Sequence, residues 1–354
     1  MSNWTSQSEL SVLGTGFALP GPAIDTRQLF ELVLPHAPGL SERAVKAASR
    51  RLGIKHRHIS RSFAARSEGP CIGMRNPDIA ARAVTSALDE ARLLVSDLGY
   101  LIGHTTTPAQ PLPSNIAFVA DILGYAGPHV ELRQACTGFA NALMIAFGLL
   151  AQPYAKPVAI VGSETGSVFF DPASAVDNSG QRVNLVQMGD GAGAIILGPA
   201  QSSQHILRSA WYGTTGLGKT PGIAMLKGGS DNPNGGNGPL YFEQDYSAIG
   251  HAGPALFAAG VEAAKAQGLS SDSVDWIIPH QASGRIGTQL AHMLEMPESK
   301  VFVNADRVGN AGSAAIWLAL AQLRAEKMSA DESALVLGAE ATKYMHGGFE
   351  YRHG

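Results

Sequence analysis

The sequence predicts an α/β protein made of two similar halves. Short apolar runs bounded by glycine and proline alternate with longer segments whose apolar residues recur at helical spacing. Within the first half, a residue suited to chemistry, Cys136, stands where a β-rich stretch gives way to a long apolar helix. In the second half Asn310 leads in the same way into an apolar helix and then a closing strand, Ser333-Ala334-Leu335-Val336-Leu337-Gly338. The pattern places the halves at residues 1–200 and 201–354.

The elements follow in order. Ser11–Gly16 reads as a first strand, and Pro77–Leu93 as a helix with Ile79, Ala83, Val84, Ala87 and Leu88 on one face. Tyr100–Gly103 is a short strand, followed by a helix near Ser114–Leu123. Phe139–Leu150 is apolar on nearly every side and should be buried. Pro157–Gly162 and Ala194–Leu197 are strands. The glycine- and asparagine-rich stretch 228–239 reads as a surface loop. Alternation then resumes with helix His251–Gln267, strand Asp275–Pro279, helix Gly284–Leu294, strand Val301–Val303, helix Gly312–Arg324 and strand Ala334–Leu337.

Composition narrows the function. The chain has 354 residues, 16% of them charged, with a net charge of −3 and no long Lys/Arg run, which offers nucleic acid no footprint. Two cysteines make no disulfide framework, so a reducing compartment is expected. The N-terminus lacks a secretory pattern and no apolar run reaches the ~18 to 20 residues of a membrane helix, so a cytoplasmic enzyme is expected.

The chemistry centres on Cys136, in Gln134-Ala135-Cys136-Thr137-Gly138-Phe139. At a helix N-terminus, the helix dipole and unpaired N–H groups favour thiolate, and the small Thr137 and Gly138 leave room for a thioester carbonyl. Cys71, in a polar loop, reads as structural. The segment approaches a caspase signature, but His104 and His129 are both too close upstream. His280 ends the strand Asp275–Pro279, where open α/β sheets present catalytic groups. Asn310, taken alone, is an ordinary cap. Gly189-Asp190-Gly191-Ala192-Gly193 precedes a strand rather than a helix, so it reads as a tight turn and not a dinucleotide loop. No metal-ligand spacing is present.

Together these segments resemble the β-ketoacyl-acyl-carrier-protein synthase III family of the thiolase superfamily. The likeness runs through Leu52–His58, the threonine loop His104–Ser114, the nucleophile segment Gln134–Ala142, the glycine turn Gly189–Leu197, the histidine segment Ile278–Ile286 and the asparagine segment Val308–Ala315. It implies a five-layered αβαβα fold, a homodimer, and acyl-CoA or acyl-carrier-protein thioesters as substrates without a cofactor or metal. It implies that Cys136 carries the acyl group, while His280 and Asn310 stabilise the enolate left when a malonyl thioester loses carbon dioxide. Arg285 matches an arginine implicated in carrier-protein docking, Ser283 lies in the substrate-binding segment, and Leu112 stands where relatives reach a partner's acyl pocket. Two departures are visible. The family's adenine-stacking tryptophan is replaced near Ala47, and the C-terminal glycine segment reads Gly338-Ala339-Glu340-Ala341-Thr342-Lys343-Tyr344-Met345-His346-Gly347-Gly348. Either Thr342–Tyr344 replaces the glycines, or the turn has moved to Gly347-Gly348.

These features favour a decarboxylating Claisen condensation in a specialised fatty-acid or polyketide pathway. Acyl transfer to an oxygen, nitrogen or sulfur acceptor is the alternative, and an asparagine rather than a carboxylate at position 310 speaks against it. A papain-like hydrolase fits the order Cys, His, Asn but not the segment order. A catalytically silent subunit does not fit an intact set of the three residues.

Overall fold

The computed structural model describes residues 3–60, 73–200, 205–232 and 242–354. Cys71 and most of the glycine- and asparagine-rich loop lie outside them. The main sheet contains strands β1 (Trp4–Ala18), β2 (Tyr100–His104), β3 (His129–Leu132), β4 (Val158–Glu164), β5 (Gly191–Pro199), β6 (Ile206–Thr214), β7 (Trp276–Pro279), β8 (Ser333–Glu340) and β9 (Met345–Arg352). The principal helices are α1 (Thr26–Val33), α2 (Glu42–Leu52), α3 (Asn76–Ala91), α4 (Asn115–Leu123), α5 (Gly138–Leu150), α6 (Ser179–Gln187), α7 (Tyr246–Lys265), α8 (Ile286–Met293) and α9 (Ala315–Glu326).

The strand order is β7-β8-β9-β6-β1-β5-β4-β2-β3. Antiparallel pairing of β1 with β6 joins two similar sheets edge to edge. Counted within its own half, each sheet places its first strand innermost, then its fifth, fourth and second. The third strand of the second half, expected at Val301–Val303, shrinks to a single parallel bridge between Ile277 and Val301.

Strand alternation builds the layers. On β4, Val158 and Ile160 face one core while Ala159 and Val161 face another. On β8, Ala334 and Val336 face that first core, and Leu335 and Leu337 face a third. The shared core is filled by α5 and α9, α3 and α4 cover the outer face of the first sheet, and α7 and α8 cover that of the second. The result is αβαβα. Phe139 of α5 meets Trp317 of α9 edge to face, with centroids 5.8 Å apart, which fixes the two central helices together.

Several elements differ from the sequence reading. The first strand is longer, bent by bulges near Ser6–Glu9 and Val12–Gly14. Helix α7 begins at Tyr246, because Asp245 caps the Ala248 N–H at 2.9 Å. The C-terminal question resolves in favour of the first alternative. The turn is at residues 341–344, with Tyr344 at φ 60°, and Gly347 and Gly348 lie inside β9 opposite Gly338 and Leu337. A Cβ on Gly348 would stand 2.2 Å from the Val336 carbonyl oxygen and 2.3 Å from the Trp211 ring, so this glycine serves packing rather than turning.

Candidate active site

Cys136 follows β3, and Thr137 caps α5. His280 follows β7, with its N–H on the Leu337 carbonyl at 2.8 Å. Gln281 pins the loop behind it. Its amide nitrogen donates to the carbonyls of Pro279 (2.8 Å) and Phe302 (3.1 Å), and its oxygen accepts from the Asn304 N–H at 2.9 Å. Asn310 is fixed from the other half. Its N–H donates to the Gln187 carbonyl at 2.8 Å, and its own carbonyl accepts from the Gly189 N–H at 3.1 Å. A Cβ on Gly189 would sit 1.9 Å from the Val308 carbonyl oxygen. The glycine turn therefore exists to let the two halves touch where Asn310 is held.

Cys136, His280 and Asn310 line one cavity of about 580 Å³. Ala44, Ala47, Ala48, Arg51 and Leu52 of α2 and Arg182 of α6 also face it, so the alanine in the tryptophan's place is part of its wall. Phe242, Tyr246, Ile249, Leu256 and Phe257 supply an apolar side, as a binding cavity requires. Leu112, Ser283 and Arg285 are not on this wall. Leu112 is 83% exposed, and Arg285 lies outside, against the end of α2, with its guanidinium 3.4 Å from the Arg50 carbonyl.

The two polar groups from the second half remain available. His280 is 6% exposed, and its Nδ1 has no hydrogen-bond partner among the described residues. Burial lowers its pKa to about 4, so the imidazole is neutral at physiological pH. The Asn310 Oδ1 accepts from the Gly312 N–H at 3.0 Å, which leaves its Nδ2–H pair without a partner among the described residues.

Two buried carboxylates missed by the sequence reading share the cavity. Glu164, at the end of β4, accepts from Thr106 N (2.9 Å), Thr106 Oγ1 (2.9 Å), Thr107 Oγ1 (2.5 Å) and Ser313 Oγ (2.5 Å). The threonine loop is thus a clamp on Glu164. Glu340, at the end of β8, accepts from Thr137 N at 2.8 Å and Thr137 Oγ1 at 2.6 Å through Oε2, and from the Thr342 hydroxyl through Oε1. The only sequence signal for Glu340 was its place in the altered C-terminal segment.

These carboxylates correct the expectation of a standing thiolate. The Cys136 residue is partly accessible, but burial of its thiol, reinforced by the charges of Glu340 and Glu164, pushes the pKa well above the ordinary thiol value. The Thr137 N–H that would have offered positive potential at the helix start is already neutralised by Glu340. Asp190 of the glycine turn lies off the cavity and is held by Ser60 and Ser167 through backbone and hydroxyl groups. Among the described residues there is no cluster suited to a metal ion, and no helix is long and apolar enough to cross a membrane.

Comparison with known proteins agrees with this geometry. Residues 130–215 match the family 3-oxoacyl-[acyl-carrier-protein (ACP)] synthase III, and residues 264–347 match its C-terminal part. The chain is 32% identical over 309 residues to the beta-ketoacyl-[acyl-carrier-protein] synthase III of Rubrobacter xylanophilus, covering 87% of each. It is also 32% identical over 322 residues to the 3-oxopimeloyl-[acyl-carrier-protein] synthase of Rhodothermus marinus, covering 88% of this chain and 84% of that protein. Among solved structures, a tetronic acid condensing enzyme, AbyA1, superposes with a TM-score of 0.85 at 27% identity, over 98% of this chain and 100% of the other. A cysteine, a neutral imidazole and a carboxamide with open N–H groups on one cavity, within a thiolase fold, together with these relatives thus place the chain in the β-ketoacyl-acyl-carrier-protein synthase III family of condensing enzymes.

Proposed function

We propose that the chain catalyses a decarboxylating Claisen condensation between an acyl primer held on Cys136 and a malonyl thioester, in a specialised fatty-acid or polyketide pathway. The observation that supports this best is the pair of unspent polar groups, the neutral His280 and the Asn310 Nδ2–H, on the cavity that holds Cys136. In the first step the thiol gives up its proton and attacks the acyl thioester, and the departing carrier thiol takes a proton. In the second, the malonyl thioester carbonyl accepts hydrogen bonds from His280 and Asn310. Carbon dioxide leaves with its bond pair redistributed into an enolate, and those donors stabilise the developing oxyanion. The enolate carbon attacks the acyl carbonyl, the Cys136 sulfur leaves, and a β-ketoacyl thioester results. No strong base is needed, because decarboxylation supplies the carbanion. The AbyA1 likeness and the alanine lining at position 47 support a specialised primer rather than a housekeeping one. The partners fitting this chemistry are acyl carrier protein, coenzyme A thioesters and a second copy of the chain.

Intact-protein mass spectrometry with a panel of acyl thioesters and malonyl-carrier protein tests the reading. One acyl adduct is expected on the wild type and none on Cys136→Ala, with a product two carbons longer. His280→Ala should load but release no carbon dioxide. An adduct persisting without Cys136, or unchanged carbon dioxide release without His280, would sink it. The second reading, acyl transfer to an oxygen, nitrogen or sulfur acceptor, is favoured by one observation, the carboxylate of Glu340 on the same wall.

A further inference from the structure

We propose that Glu340 is a further catalytic residue, a general base that takes the proton of a hydroxyl-bearing acceptor so that the acyl group leaves Cys136 as an oxygen ester. The proposal rests on the acyl-Cys136 intermediate of the preceding reading and adds a second fate for it.

Glu340 is 2% exposed, yet it lines the cavity with Cys136, His280 and Asn310. Its hydrogen bonds to Thr137 anchor it to the residue beside the nucleophile. Among the described residues no cation pairs with it. A buried carboxylate without a counter-ion is costly to keep, and one that faces a reaction cavity has a reason to be there. The other carboxylates are otherwise engaged. Glu164 has every acceptor position occupied by Thr106, Thr107 and Ser313, and Asp190 is closed off by Ser60 and Ser167. A carboxylate offers about four acceptor sites. Glu340 uses two on Oε2 and one on Oε1, so one remains, on the oxygen held by Thr342, which itself lines the cavity. Condensation by decarboxylation has no use for a base at this place. Transfer to a hydroxyl does, and the amide at Asn310 cannot act as one.

The step balances within the site. The acceptor oxygen attacks the acyl carbonyl carbon as its O–H proton passes to Glu340. The tetrahedral intermediate then expels the Cys136 sulfur with its bond pair, and Glu340 returns the proton to sulfur. An oxygen ester, a thiol and a carboxylate result, with no other reactant. The surroundings that hold the resting thiol protonated also make the expelled sulfur a ready acceptor for that proton.

The experiment has two stages. Wild type, Glu340→Gln and Glu340→Asp are loaded with butyryl-N-acetylcysteamine, and the adduct on Cys136 is measured by intact mass. The loaded proteins then receive 3-hydroxybutyryl-N-acetylcysteamine as the hydroxyl probe, and loss of adduct and gain of the ester are followed. The rate of transfer from the preloaded acyl-Cys136 should fall about 100-fold or more in the Gln variant, the range of a lost general base, with the Asp variant between the two. An equal transfer rate in wild type and Gln variant, as expected if His280 takes the proton, overturns the proposal. So does a wild type that loads but gives no ester. Failure of wild-type loading is read in the first stage and counts against the acyl-Cys136 reading itself. Should the Gln variant be unfolded by circular dichroism, the Asp variant decides. Drawing the carboxylate back by one methylene should slow transfer about tenfold or more, and an unchanged rate overturns the assignment.

Discussion

The two walls of the cavity are built on opposite plans. On the Cys136 side, the polar groups are spent on one another. Glu164 closes over Thr106, Thr107 and Ser313, and Gln134 donates to Thr137 at 3.0 Å and accepts from Asn141 at 2.6 Å. On the side supplied by the second half's loops, His280 Nδ1 and Asn310 Nδ2 have no partner among the described residues, while Glu340 joins the Cys136 side through Thr137. A saturated network fixes geometry, whereas an unsaturated one facing a cavity is left with hydrogen-bonding capacity for what enters it. Substitutions on the first wall should therefore show up in stability, and those on the second in rate.

The largest contrast is expected at Asn310. Asn310→Ala should lower malonyl decarboxylation about 10²- to 10³-fold, the cost of one oxyanion donor. Its urea midpoint should move little, because the side chain's one hydrogen bond among the described residues is to Gly312. Single-turnover carbon dioxide release and urea unfolding on the same preparation check both parts. A midpoint shift as large as that of a core substitution would erase the distinction between the walls.

Glu164→Ala should behave in the opposite way. It strands the Thr106 N–H and the Thr107 hydroxyl in a buried site, and leaves the Ser313 hydroxyl only the Gln134 carbonyl at 3.2 Å. A loss of about 2–4 kcal/mol is expected, as for other broken buried networks, with the slope of unfolding against urea unchanged. Activity that survives at low temperature, where the variant stays folded, would confirm that this carboxylate positions rather than reacts.

The sequence made the framework legible because its signals are local. Apolar helices such as Phe139–Leu150 and strands such as Ala334–Leu337 show their period within a dozen residues. That Cys136, His280 and Asn310 belong together was legible as well, through segments whose order along the chain is specific, and the three line one cavity. What was hidden depends on contact between distant segments. A turn at Gly347-Gly348 stayed open beside one at Thr342–Tyr344, because nothing nearby in sequence reveals that the Trp211 ring lies against β9. Glu164 and Glu340 read as ordinary acidic residues, since their partners are 58 and 203 positions away. The surroundings that oppose a thiolate were hidden for the same reason. A helix start is visible in sequence, but the carboxylate that neutralises it arrives from the other half of the chain.

The facing wall also predicts a pH dependence. The His280 imidazole has a pKa lowered to about 4 from 6.5 by burial. The unfolded chain therefore binds more protons than the folded one between these values, so stability should fall as pH is lowered from about 6.5 to 4, by at most about 3 kcal/mol. Burial raises the carboxyls of Glu164 and Asp190, which gives a contribution of the opposite sign, stabilising as pH falls. The difference between wild type and His280→Asn, measured by urea unfolding at pH 7 and pH 4.5, isolates the histidine. A wild-type curve parallel to that of the variant would mean that the imidazole is charged or hydrated in the folded state.

The smallest effect sharpens the comparison most, because it concerns the one carboxylate bonded beside the nucleophile that keeps an open acceptor position. Glu340 and Glu164 both oppose ionisation of Cys136, but only Glu340 touches the start of α5. Replacing it with glutamine removes a charge while a side-chain oxygen can still accept from the Thr137 N–H. The thiolate fraction at neutral pH should then rise, and alkylation of Cys136 by iodoacetamide should quicken about tenfold, one pKa unit of relief. Peptide-resolved mass spectrometry separates this thiol from Cys71. In the wild type Cys136 should react more slowly than the free amino acid, whereas a reactive wild-type thiol would restore the helix-start argument. Equal rates in wild type and Glu340→Gln would show that burial and Glu164, not the Glu340 charge, hold the proton on sulfur.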